Sequence, residues 1–97
     1  MFLKIHRSPN TGDIVAVCDR ELLNTTITHG HMEVCISESF YGNHNASEDE
    51  VRDALLHADN ANLMGERAVA IAIDLGLITR SGCIMIGAVP HALIFRM

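Results

Sequence analysis

Tryptophan is absent, and only four residues are aromatic: Phe2, Phe40, Tyr41 and Phe95. Packing therefore falls to Leu, Ile, Val, Met and Ala, in a chain that is 48% hydrophobic. Lysine occurs once, at Lys4, and the formal net charge is −5. Binding to nucleic acid driven by total charge is disfavoured. No apolar run reaches the roughly 18 residues of a membrane span, so no membrane association is expected. Lys4, His6 and Arg7 interrupt the only stretch that resembles a secretory signal. No Cys-x-x-Cys pair occurs. Cys18, Cys35 and Cys83 are odd in number, widely spaced and set in apolar runs, which predicts reduced, buried thiols in a cytoplasmic protein. Signatures for nucleotide phosphates, zinc hydrolases and serine nucleophiles are missing.

Ninety-seven residues make one domain, 1–97, able to bury one core. So high an apolar share leaves apolar area outside, which points to a protein partner or a homo-oligomer. The charge is uneven. Seven acids (Glu33, Glu38, Glu48, Asp49, Glu50, Asp53, Asp59) and one base (Arg52) lie in residues 33–59. Lys4, Arg7, Arg80 and Arg96 lie toward the two ends, so nucleic acid is expected only through a local basic face built from them; scattered solvated charges are the plainer reading.

Phe2–His6 alternates as a strand, "SPNTGD" is a turn, and Ile14–Cys18 returns as a second strand. Asp19 suits the cap of one helical turn through Leu23. Thr25–Thr28 and Met32–Ser37 read as strands around "HGH". Ser47 and Glu50 make a capping box, followed by helical spacing at Val51, Ala54, Leu55 and Ala58. Residues 59–62 read as a kink or restart, with helix from Leu63 to Leu75 and a stop at Gly76. Val69, Ile71, Ile73 and Leu75 also alternate as a buried strand would. Residues 77–79 and 83–86 flank "RSG" as a hairpin, and His91–Arg96 makes a last strand. The expected class is α+β: a mostly antiparallel sheet with two helices, or one kinked helix, packed on one face.

Five features are candidates for chemistry. His29, His31 and Cys35 are close in sequence. On a strand, however, His31 and Cys35 lie roughly 13 Å apart, too far to share one ion. No metal and no cofactor are expected. A thiolate at Cys18 or Cys35 with a histidine would be nucleophilic, but buried thiols are inert. "SESFYG" offers hydroxyls at Ser37, Ser39 and Tyr41, a carboxylate at Glu38 and close approach at Gly42. Alternatively, Phe40 anchors the loop and the serines satisfy turn amides. "GAVPH" offers Pro90 and His91 as a contact or as a plain strand edge. "NANLMGERAVA" offers Asn60, Asn62, Glu66 and Arg67, with Gly65 read as a packing glycine inside a helix.

The blocks "VAVCDRELL", "SESFYG", "ANLMGERAV" and "IGAVPHA", in that order, resemble a family of small archaeal proteins known as domain of unknown function four hundred and twenty-four. The resemblance covers essentially the whole chain. It implies a compact α/β fold in the archaeal cytoplasm and no assigned activity, so no catalytic residue is carried over. It also implies that residues 37–42, 61–69 and 87–92 form one shared surface. The chain departs from the family pattern in the helix before Asn60, in His29, His31 and His44, and in its single lysine, which argues against a family-wide histidine metal site.

The reading favoured is a non-enzymatic binding module for a protein or ribonucleoprotein partner, in translation or RNA processing, with Arg67 contacting phosphate or carboxylate. A second reading is a small-molecule enzyme with Glu66 as general base and His91 as its acid–base partner. A third is a structural homo-oligomer joined through the glycine-containing helix.

Overall fold

The computed structural model describes residues 1–9 and 12–95. Arg96, the end of the expected last strand and the middle of the first turn lie outside the described residues. Alternation produces the first two strands where it was expected. β1 (Phe2–His6) and β2 (Ile14–Cys18) pair antiparallel, Phe2 opposite Cys18 and His6 opposite Ile14. Val15, Ala16, Val17 and Cys18 are all buried, so β2 is covered on both faces. β3 (Thr25–His29) and β4 (Met32–Ile36) form a separate hairpin. One helical turn, α1 (Glu38–Tyr41), follows it. α2 (Glu48–Leu56) starts on the expected capping box: the Glu50 N–H donates to Ser47 Oγ at 3.1 Å and the Ser47 N–H to Glu50 Oε1 at 3.2 Å.

The largest departure from the sequence reading is at residues 60–64. They form β5 (Asn60–Met64), a central strand parallel to β2, with Val15 opposite Ala61 and Val17 opposite Leu63. Asn60 and Asn62 are strand residues and not helix caps. α3 begins only at Glu66 and runs to Asp74, with the expected Gly76 stop at φ 76°. Gly65 is therefore the corner between strand and helix. Its φ of 111° is closed to residues with a side chain. A Cβ there would meet the Asp19 side chain, 2.6 Å from Oδ2.

Asp19 is the second departure. The turn at Arg20–Leu22 forms, as a 3-10 turn, but the carboxylate does not cap it. Instead it crosses to α3, accepting the Arg67 N–H at 3.0 Å and the Ala68 N–H at 2.9 Å. The Asp19 N–H in turn donates to the Met64 carbonyl at 3.0 Å. Asp19 is only 3% exposed, and a buried carboxylate with two amide donors at a positive helix end is satisfied in hydrogen bonding and charge.

The third departure is the last hairpin. "RSG" is a 3-10 turn, and residues 77–79 form no strand. β6 (Ile84–Ile86) and β7 (Val89–Phe95) turn at residues 87–88, where Gly87 has φ 61°. The sheet order is β1-β2-β5-β7-β6, antiparallel except for the β2–β5 pair. The class is α+β, as expected, but with three α-helices and two cores among the described residues. Val15, Val17, Ala61, Leu63, Ala92 and Ile94 meet α2 and α3 on one face. Ala16, Cys18 and Met64 on the other meet α1, through Tyr41, and the β3–β4 hairpin, through Ile36.

The cysteines divide by face. Cys18 is buried, Cys83 is half-buried and Cys35 is exposed, because the outer side of the β3–β4 hairpin meets water. Burial, followed by the Asp19 charge, pushes the Cys18 thiol up to about 11. At pH 8 Cys18 is thus a protonated, covered thiol. A maleimide titration of the native protein is expected to modify Cys35 first and to spare Cys18 until denaturant is added.

The Asp19–Gly65 junction generates the second expectation. Asp19→Ala strands one buried and one part-buried N–H group and should cost roughly 2–3 kcal/mol. Gly65→Ala combines backbone strain with overpacking and should cost roughly 2–4 kcal/mol. Urea unfolding followed by circular dichroism reads both. Loss of less than about 0.5 kcal/mol, the range of ordinary surface changes, would contradict the assignment.

Candidate binding face

The "SESFYG" segment is fastened to the sheet by its backbone. His6 donates from Nε2 to the Phe40 carbonyl at 2.7 Å, and its ring stacks on Phe40 with centroids 4.8 Å apart. Lys4 Nζ donates to the Ser39 carbonyl at 3.1 Å. Gly42, at φ 74°, closes the turn against Lys4. Phe40 and Tyr41 meet edge to face. Of the two rings, Tyr41 is the buried one; its hydroxyl donates to Asn62 Oδ1 at 2.7 Å. Burial pushes the Tyr41 hydroxyl well above its ordinary range, so it stays a donor at any working pH. Ser37 and Ser39 hydrogen-bond each other at 3.0 Å, and Glu38 and Ser39 are exposed.

The "GAVPH" block meets "NANLMG" across the β5–β7 ladder. Gly65 N–H donates to the Pro90 carbonyl, and His91 Nδ1 donates to the Leu63 carbonyl, each at 2.9 Å. The three blocks thus touch, but their polar groups separate into two places. Asn60, Asn62 and His91 share the sheet face that carries Tyr41, in register with Phe95, Leu93 and Met64 respectively. Glu66 and Arg67 lie at the start of α3, where Glu66 pairs with Arg80 at 3.1 Å and Arg67 with Glu21 at 4.0 Å. Gly65 is buried against Asp19 and offers no surface of its own at the glycine where an oligomer contact was expected.

Two chemical readings lose support from this layout. Glu66 is engaged with Arg80 and His91 with Leu63, and no hydrogen bond joins the proposed acid–base pair. The strand–glycine–helix corner resembles an anion cradle in outline. Here Asp19 already fills it from within the chain. Arg7 pairs with Asp13, and Arg52 with both Glu48 and Asp74. The hollow of about 450 Å³ beside Arg52 and Arg67 is therefore lined by balanced charge. Among the described residues, no three His, Cys, Asp or Glu side chains converge as metal ligands.

Another hollow, a cleft of about 360 Å³, lies between α1 and β7. Asn60 and Asn62 form its polar floor; Ile14, Phe40, Leu93 and Phe95 line its sides. Phe95 is 73% exposed and Leu93 49%. Among the described residues, no carboxylate lines it. Leu93 and Phe95 are the residues that the sequence reading missed. The signal lay in "VPHALIF": Pro90, Ala92 and Ile94 point to one core, so Leu93 and Phe95 must face the other side.

Tyr41→Phe leaves the Asn62 amide without its donor. It should cost about 1–2 kcal/mol in urea unfolding. Asn62→Ala should cost a similar amount, and the double variant less than the sum.

Comparison with known proteins agrees with this architecture. No curated protein matches the chain. A crystal structure described as an uncharacterized conserved protein from Methanopyrus kandleri superposes with a TM-score of 0.80 at 26% identity, over 99% of this chain and 92% of that one. Residues 6–97 match the family described as Protein of unknown function (DUF424). The chain belongs to the DUF424 family, which the order of its four sequence blocks had already suggested.

Proposed function

We propose that the chain is a non-enzymatic binding module, and that it docks a protein surface on the open cleft between α1 and β7. The observation that carries this reading is the exposure of Leu93 and Phe95 beside the Asn60 and Asn62 amides, in a cleft that no carboxylate lines among the described residues. Apolar anchors around a few directional polar groups suit protein docking. Aliphatic Leu93 and Ile14 give no platform for base stacking, and four of the arginines already pair with carboxylates. Direct contact with nucleic-acid phosphates is therefore the weaker reading. Docking to the protein part of a ribonucleoprotein, in translation or RNA processing, uses the same face.

Two variants separate this reading from a site at Arg67. Asn62→Asp keeps the acceptor for Tyr41 and places a charge in the cleft. Arg67→Ala leaves the cleft intact. Affinity capture from an archaeal lysate with quantitative mass spectrometry should show partners depleted about tenfold or more by Asn62→Asp, equivalent to about 1.4 kcal/mol. Arg67→Ala should retain them. Depletion by Arg67→Ala alone would place docking at the start of α3 instead.

A further inference from the structure

Asn62 and His91 share the open sheet face, and each keeps one nitrogen outside the internal hydrogen bonding. The Tyr41 hydroxyl donates to Asn62 Oδ1 at 2.7 Å. That bond fixes the amide: Oδ1 is taken, and Nδ2 keeps two N–H donors. The Leu63 carbonyl can only accept, so its 2.9 Å contact with His91 Nδ1 places the ring proton on Nδ1. In the neutral ring Nε2 is then an acceptor. Neither Nδ2 nor Nε2 has a partner among the described residues. Both side chains are half-buried, yet among the described residues no buried side-chain nitrogen or oxygen lacks a partner. Nδ2 and Nε2 therefore open to solvent.

The β5–β7 ladder sets the distance between them. Asn62 stands opposite Leu93 and His91 opposite Met64, so Asn62 and His91 are diagonal neighbours on one face. Diagonal positions in an antiparallel pair lie roughly 7–8 Å apart. The His91 ring leans over β5 to bond Leu63, the residue next to Asn62. One donor and one acceptor at this spacing match a single amide group. In a trans peptide the C=O and N–H point opposite ways, so its two partners flank it. Two hydrogen bonds of about 2.9 Å and the group between them span roughly 8 Å. A carboxylate has no N–H for Nε2, and an ammonium has no acceptor for Nδ2. The surroundings are apolar. Leu93 is 49% exposed beside Asn62, and Ile84, opposite His91 on β6, is 60% exposed. A peptide group within a chain carries alkyl carbon on both sides, whereas a Gln or Asn carboxamide carries it on one.

We propose that Asn62 and His91 together read one backbone peptide group in an extended, apolar segment of the docking partner. Asn62 Nδ2 holds the carbonyl, His91 Nε2 holds the N–H, and neighbouring alkyl groups rest on Leu93 and Ile84. The proposal rests on the docking reading and names the chemistry that the same face selects.

The test is a titration followed by proton–nitrogen NMR at pH 8, above the ordinary imidazole range. The probe is N-isopropylisobutyramide, one secondary amide between two branched alkyl groups. It should give saturable shifts at the Asn62 side-chain amide and the His91 ring. Isopropyl isobutyrate, the ester without the N–H, should bind about tenfold more weakly, because it turns an oxygen toward Nε2. Isobutyramide, with alkyl carbon on one side only, should also bind more weakly; equal binding would assign the site to a carboxamide and contradict the proposal. His91→Asn keeps a donor for Leu63 and deletes Nε2, so amide and ester should become equal. Asn62→Asp keeps the acceptor for Tyr41 and deletes both donors, so the shifts should vanish. Should either variant fail to fold, the wild type still decides. Amide and ester of equal affinity, or shifts that spare both residues, would overturn the proposal. Those results leave the docking reading to its capture experiment, and loss of the capture result leaves the titration unchanged.

Discussion

The Asp19 carboxylate, buried at the end of β2, holds two amides at the start of α3 and so joins the two halves of the fold. Its own N–H fixes the end of β5 through the Met64 carbonyl. The parallel pair, the corner at Gly65 and the direction of α3 thereby become one construction. Only glycine fits the corner, both for its φ of 111° and because the carboxylate occupies the space of a side chain. The same occupation removes the helix start as an anion site, since the negative charge that a helix N-terminus attracts is already present.

Once α3 is set on one face, the other face is left to shorter elements. The β3–β4 hairpin and α1 cover only part of it. α1 is a single turn and has little stability alone. Bonds from Lys4 and His6, together with the Tyr41–Asn62 pair, hold it in place. Beyond its edge the sheet stays open, and Asn60, Asn62, Leu93 and Phe95 are presented on a rigid support.

Most of the strands, the capping box and the Gly76 stop were legible because each rests on local chemistry within a few residues. β5 was not, because "NANLM" is five residues long and its asparagines imitate helix caps directly ahead of a real helix. Its strand character comes from β2, some 45 residues away, which no local pattern reveals. Asp19 was legible as a cap, but its partner was not: Arg67 lies 48 positions on. At the site, Tyr41, Asn60, Asn62 and His91 were chosen as polar residues in blocks, and the fold does bring them to one face. Glu66 and Arg67 were chosen on the same grounds and lie elsewhere, because the corner at Gly65 turns α3 away from that face. Leu93 and Phe95 were passed over in the sequence, since hydropathy does not say which face of a strand is left uncovered.

The account depends on Asp19 and Gly65 acting as one unit, and a double-mutant cycle of Asp19→Ala and Gly65→Ala measures that directly. Urea unfolding of the four proteins gives the coupling between the two positions. Removing the carboxylate relieves two of the three closest clashes, with Cγ and Oδ2, and leaves only the position-19 Cβ at 2.8 Å. Gly65→Ala should then cost about 1–2 kcal/mol less in the Asp19→Ala background than in the wild type. Strictly additive effects, within about 0.3–0.5 kcal/mol, would contradict a shared junction.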